Sequence, residues 1–339
     1  MAYNLKLNIY NFSLYHITET IQRRQRGREI VMHRHESRAI PFSDLGRSLN
    51  AQVERDNYLT VICQALLRHF DNRFLFNADG TRAVSITNNP NPRLFGPSYK
   101  IDGLFKGGET GIARNVYQQG DAQQSTMMIG RTDVPALKYY YKLWIPYDAE
   151  DGILMIQSYT DMGCTAAFKD QIEEFFISCG YKPSWNSIIP SGIMQEFLNR
   201  SFINSIRVSY DVVPREDANG VFASMRLAKK ESWLRNLSIP FQDLLHLGDY
   251  RQQLENKLID YVGFDPEFDS ARVFYTDENG RKANASIGEI ENILPSIILP
   301  EELKSEGTDE PELNAISEYT DGILDNIKQQ IGYATDELV

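Results

Sequence analysis

Tyr139-Tyr140-Tyr141-Lys142-Leu143-Trp144-Ile145, the turn Pro146–Gly152 (PYDAEDG) and Ile153-Leu154-Met155-Ile156 form the stretch on which the fold turns. Aromatic and β-branched residues favour a pleated, partly buried surface. Two such runs joined by a breaker-rich turn read as a β-hairpin. The second run is apolar without alternation, which predicts cover on both of its faces. Gly163 and Thr165 then open a helix, with Thr165 as its N-cap. Phe168, Ile172, Phe175, Phe176 and Cys179 fall on one helical face, and Gly180 stands where a left-handed terminator belongs.

Working outward, the same reasoning applies on either side. Leu5, Leu7 and Ile9 alternate with polar residues in a strand over 3–15. Leu59, Ile62, Cys63, Leu66, Leu67 and Phe70 mark a helix within 44–70. Residues 73–86 (RFLFNADGTRAVSI) read as a hairpin turning at Asp79-Gly80, and 272–287 (RVFYTDENGRKANASI) as another turning at Asn279-Gly280. Their echo suggests a duplication, which shared turn chemistry explains equally well. Strands are expected at 203–213 and 221–228, and helices at 191–202 and 249–262. Gly103, Gly107, Gly108 and Gly111 lack dinucleotide-loop spacing and read as bulges or turns. The weakly patterned 121–135 reads as a connector.

The expected fold is α+β: mainly antiparallel, hairpin-rich sheets with packed helices, then an acidic amphipathic C-terminal helix. The expected organisation is an N-terminal half, 1–125, a second half, 136–300, and an acidic linker with the final helix, 301–339. Leu313, Ile316, Ile323, Leu324, Ile327 and Ile331 form that helix's apolar stripe. The stripe needs either the body of this chain or a protein partner, self included, through 312–332.

In 339 residues, 42% hydrophobic with 18 Tyr and 17 Phe, there is material for a substantial core. No apolar run nears the roughly 20 residues of a membrane span. The opening MAYNLKLNIYNFSLY alternates like a strand rather than a signal peptide. Three cysteines at no zinc or redox spacing are expected as reduced thiols in a cytoplasmic protein.

The net charge of −11 argues against indiscriminate nucleic-acid coating, yet charge is uneven. Residues 1–73 hold 11 Lys/Arg against 7 Asp/Glu, and residues 301–339 hold 2 against 11. The basic excess gathers in 22–38 (QRRQRGREIVMHRHESR), with Arg23, Arg24, Arg26, Arg28, Arg34 and Arg38. Its first half reads as an exposed loop and Ile30-Val31-Met32 as a short strand. Phosphates are the natural counter-group for clustered guanidinium groups. An acidic partner, or the chain's own tail, is the other. The bland reading is a solvated loop.

His33 and His35, two apart beside Glu36, would share a strand face, but further ligands for a metal are not identifiable in sequence. Asp249 with Glu255-Asn256-Lys257 resembles a nuclease triplet placed on a helix instead of a strand. Gly-x-Ser-x-Gly and Walker loops are absent from the sequence, and no cofactor is expected. The leading expectation is a non-enzymatic binding or regulatory subunit touching nucleic acid or another phosphate-bearing ligand. It is similar in style to accessory proteins of bacterial anti-phage systems. The alternative is a metal-dependent nuclease or hydrolase whose site is assembled from dispersed Asp, Glu and His.

Overall fold

The aromatic run forms strand β9 (Leu137–Trp144), whose last six residues are all buried. Neighbouring side chains on a strand point to opposite faces, so such a run needs cover on both. The computed structural model describes residues 3–25, 28–160, 162–212, 228–234, 239–240, 268–276, 280, 282–286 and 295–333. In it, Tyr139 and Tyr141 face one layer. Tyr139 stacks on Phe105 at 5.0 Å, and Tyr141 packs 5.3 Å from Phe168. Tyr140 and Lys142 face the opposite layer, where their side chains bond the C-terminal helix.

β9 pairs with β10 (Asp151–Tyr159) as the expected hairpin, with Ile153 opposite Trp144. All of β10 after Asp151 is buried, as its unbroken apolar run requires. The sheet extends through β6 (Lys100–Glu109), β4 (Arg82–Ile86) and β3 (Leu75–Phe76) on one side, with β5 (Arg93–Phe95) paired to β6. On the other it continues to β1 (Leu5–Gln25) and β11 (Tyr181–Ser187). Every described pairing is antiparallel. β1 is long enough to take two partners along each edge. Residues 5–13 pair with β10, and 14–25 with β2 (Arg28–Ile40). The opposite edge meets β17 (Ile297–Ile298) and then β11.

Two helices cover the Tyr139/Tyr141 face: α2 (Tyr58–Phe70) and α3 (Thr165–Ser178). Phe168, Ile172, Phe175 and Phe176 are its buried apolar stripe, and Gly180 has φ +92° as the chain leaves it. α1 (Phe42–Leu49) seats Phe42 against Phe12 at 5.4 Å.

The opposite face takes α5 (Leu313–Gln330). Ile316, Ile323, Leu324 and Ile327 are buried, so of the two occupants expected for the stripe, the body of this chain or a partner, it is this chain's own sheet that covers them. Between them lies a polar seam. Fully buried Asp102 accepts a fork from Arg93, Nε to Oδ1 and Nη2 to Oδ2, each at 2.8 Å. It also accepts the Tyr140 hydroxyl at 3.0 Å and the Ser317 hydroxyl at 2.5 Å. Lys142 donates to the Ser317 carbonyl at 2.8 Å and to Asp321, which also holds Lys100 at 2.7 Å.

The chain divides into Met1–Ile188 with Ser296–Gln329 and Ala334–Val339, and Ile189–Pro295 with Gln330–Tyr333. Residues 121–135 therefore lie inside the first unit, and the change of unit follows Ile188. In the second unit β12 (Phe202–Val212) pairs with β13 (Ala228–Leu234), with the short β14 (Ile239–Pro240) and with β15 (Phe268–Thr276), which pairs with β16 (Lys282–Ser286) around Gly280. Ile203, Ile206 and Val273 are buried there, and Phe197 of α4 (Ser191–Arg200) meets Tyr275 at 6.1 Å. The helix expected at 249–262 and the strand at 221–227 lie outside the described residues.

Three local readings change. Residues 22–25, 28 and 29 are strand, not loop, and the short strand expected at 30–32 belongs to one that runs from Arg28 to Ile40. Residues 121–129 are strand β8 (Asp121–Ile129), paired with β7 (Arg114–Gln118). Gly103, Gly107 and Gly108 sit inside β6, where neighbours approach closely: a Cβ on Gly107 would stand 2.9 Å from the Cys164 Cβ.

Candidate nucleic-acid interface

Past residue 16, β1 leaves β10 and β11 behind and keeps β2 alone as partner. Two irregularities, at Tyr15/Ile17 and Ile17/Glu19, mark the departure. Such bulges bend and twist a strand pair where it quits a sheet. From Ile17 opposite His35 to Gln25 opposite Arg28 the two strands form a ribbon. At about 3.3 Å per residue it runs on the order of 30 Å. Glu19, Thr20, Gln22 and Arg23 on one strand and Val31, Met32 and Arg34 on the other are exposed.

The arginines therefore gather on one element, in a defined register. Arg23 stands opposite Ile30, Arg24 opposite Glu29 and Gln25 opposite Arg28. Arg34 pairs with the facing Glu19 at 2.9 Å, and Arg38, nearer the body, approaches Glu150 at 3.8 Å. Both pairs are exposed and are worth roughly 0–1 kcal/mol, so a phosphate can displace either carboxylate cheaply. Arg26 lies outside the described residues. Over 17–38 there are six Arg and three Glu. The ribbon's length is several times the roughly 8–10 Å screening length, so the acidic body barely offsets that excess at its far end.

His33 and His35 do not come together with further ligands. His33 Nδ1 is 3.0 Å from Thr20 Oγ1, and His35 Nδ1 is 2.7 Å from the Glu36 carbonyl oxygen. Among the described residues no three His, Cys, Asp or Glu side chains are grouped as a metal ion would require. Asp249, Glu255 and Lys257 lie outside them. The cysteines are free, with Cys63 and Cys164 buried and Cys179 partly so. Sequence reasoning singles out the arginines and passes over Thr20, Gln22, Val31 and Met32 between them. The available signal is the β-branched content of 17–31, with Ile17, Thr18, Thr20, Ile21, Ile30 and Val31.

A shallow depression of about 480 Å³ at the ribbon's root is lined by His16, Glu36, Ile40, Asp44, Arg47 and Tyr181, among others. Arg47 is held by Asp44 at 2.8 Å and the Tyr181 hydroxyl by the Asp44 carbonyl at 3.2 Å, so its polar groups largely satisfy one another.

The most perturbed cationic group sits elsewhere, under α5. Burial pushes Lys142 down to about 8, against the pull of Asp321. Burial works against the Asp321 carboxylate too, yet bonds from Lys100 and Lys142 hold its pKa below the ordinary value. The partners differ because Asp321 is one-third exposed and has two lysines, whereas Lys142 is enclosed. Closed over by α5, this seam is structural. Between pH 8 and 10 folded Lys142 releases a proton that the unfolded chain keeps, which taken alone raises stability with pH. Burial raises the Cys63, Cys164 and Cys179 thiols, and Tyr139, Tyr140 and Tyr141 above them, so from about 8.5 the unfolded chain loses protons that the folded one holds and stability falls. A Tm series from pH 7 to 11 should therefore fall above about 8.5. In Lys142→Met, without the opposing lysine, the fall between 8 and 10 should be steeper.

No family model matches the chain, and no curated protein matches it. Fold and site together define a class: an α+β protein carrying an exposed, arginine-bearing β-ribbon. No helix among the described residues is long and apolar enough to cross a membrane.

Proposed function

We propose that this chain is a non-enzymatic binding subunit that grips a phosphate-bearing polymer, nucleic acid first among them, through the β1–β2 ribbon. One observation carries the reading: the arginine segment is a two-stranded element standing beyond its sheet, with its described side chains largely in solvent. A paired ribbon presents guanidinium groups in a set register, with less entropy to lose than a loop has. It also holds them clear of the acidic body. The C-terminal helix serves this reading as part of the scaffold. Any partner for 312–332 would meet its outer face, where Glu318 and Tyr319 are exposed.

The test replaces Arg23, Arg24, Arg26 and Arg28 with Ala and titrates labelled DNA and RNA by anisotropy from 25 to about 200 mM salt. The parent chain should bind with log affinity falling linearly against log salt, by about 0.9 per phosphate neutralised. The variant should bind at least tenfold more weakly, on a flatter slope by up to about 4, with Tm unchanged. Equal binding by the two proteins, or none by the parent, overturns the reading.

A further inference from the structure

We infer that the polymer the ribbon takes is B-form duplex DNA, entered through the major groove. This rests on the ribbon reading above and narrows it. Two strands about 4.8 Å apart, with side chains on both faces, make a body close to 10 Å across. The major groove of B-DNA is about 12 Å wide and admits a two-stranded ribbon, whereas the minor groove, at about 6 Å, does not. The major groove of duplex RNA is too deep and narrow for side chains to read. Single strands are held chiefly by aromatic stacking platforms, and residues 17–35 contain no Phe, Tyr or Trp.

The register then gives the two faces different chemistry. Thr20 stands opposite His33, at hydrogen-bond distance, and Gln22 opposite Val31, on one face. Glu19 with Arg34 and Ile21 with Met32 share the other. The first face carries what base edges need. A glutamine amide fits the adenine edge, a branched aliphatic group fits the thymine methyl, and a hydroxyl serves either. Gln22 and Val31 are both exposed and directly opposed, so together they suit one A·T pair. Arg23, at a position facing the other way, and Arg34 are left for the phosphates bounding the groove.

Anisotropy titrations of the full chain against a 20-base-pair DNA duplex, one of its single strands and the same duplex as RNA test this at about 100 mM salt. The DNA duplex should bind at least tenfold tighter than either alternative. Methyl green, which occupies the major groove, should compete, and netropsin, a minor-groove ligand, should not. Gln22→Ala and Val31→Ala should each cut the preference for A·T-containing over all-G·C duplexes roughly fivefold, leaving the salt slope unaltered. Equal binding of all three polymers, or displacement by netropsin alone, overturns the duplex inference. The arginine-dependent reading would then survive. No binding of any polymer removes both.

Discussion

Asp102→Ala should lower the stability of the larger unit by about 3–5 kcal/mol, the typical cost of removing one partner from a buried ion pair. Asp102 is fully buried and accepts four hydrogen bonds, two from Arg93 and one each from Tyr140 and Ser317. Without it, the Arg93 guanidinium keeps Asn314 and the Leu313 carbonyl but loses its only carboxylate among these contacts. Tyr140 keeps Thr320 at 3.0 Å, and Ser317 loses its acceptor. For a unit of this size, roughly 2–4 °C of Tm goes with each kcal/mol, so differential scanning calorimetry should show a fall of about 10 °C. The seam joins β6 to α5 across 215 residues of chain, so limited proteolysis within 301–333 should quicken in step. Arg93→Met with Asp102→Leu should recover most of the loss, since apolar replacement of a whole buried pair is often near neutral. A fall of less than about 1 kcal/mol in the single variant would mean that water already reaches the seam.

That seam shows where sequence reading stops. Phe168, Ile172, Phe175 and Phe176 carry their period openly, and Gly80, Gly180 and Gly280 mark chain reversals where their types demand positive φ. Lys142 stands inside an aromatic run, and nothing local in the sequence tells that its partner is Asp321, 179 positions on. The ribbon was hidden for a different reason. Strands announce themselves by alternation only when one face is buried. Where both faces meet solvent, as at Thr18–Gln22 or along β8, polar residues occupy both and the pattern fades into loop-like composition. The candidate arginines were thus legible as charge, while their geometry was not. Paired strands in place of a loop give those arginines a fixed register, which is what turns a charge cluster into a candidate interface.

Phe168→Ala should cost the same unit about 3–5 kcal/mol by another route, a cavity in the apolar layer. The Phe168 ring is fully buried, stacked 3.9 Å from Phe105, 5.3 Å from Tyr141 and 6.3 Å from Phe70, so it bridges sheet, α2 and α3. Its neighbours are rings anchored on three separate elements, which limits their collapse into the space left. Denaturant titration should show a lower midpoint at unchanged slope, and Phe168→Leu should recover more than half of the loss. The contrast with Asp102 lies in origin. A cavity cost carries no charge, so it should be the same at pH 6 and pH 9 and at 0.05 and about 1 M salt. One face of the sheet is held by burial alone and the other by buried, paired charge. Since the ribbon stands past residue 16, away from both layers, each variant should bind nucleic acid as the parent does wherever it remains folded. A core variant that lost binding at a temperature well below its own Tm would tie the ribbon to the body and sink the view that it acts as an independent arm.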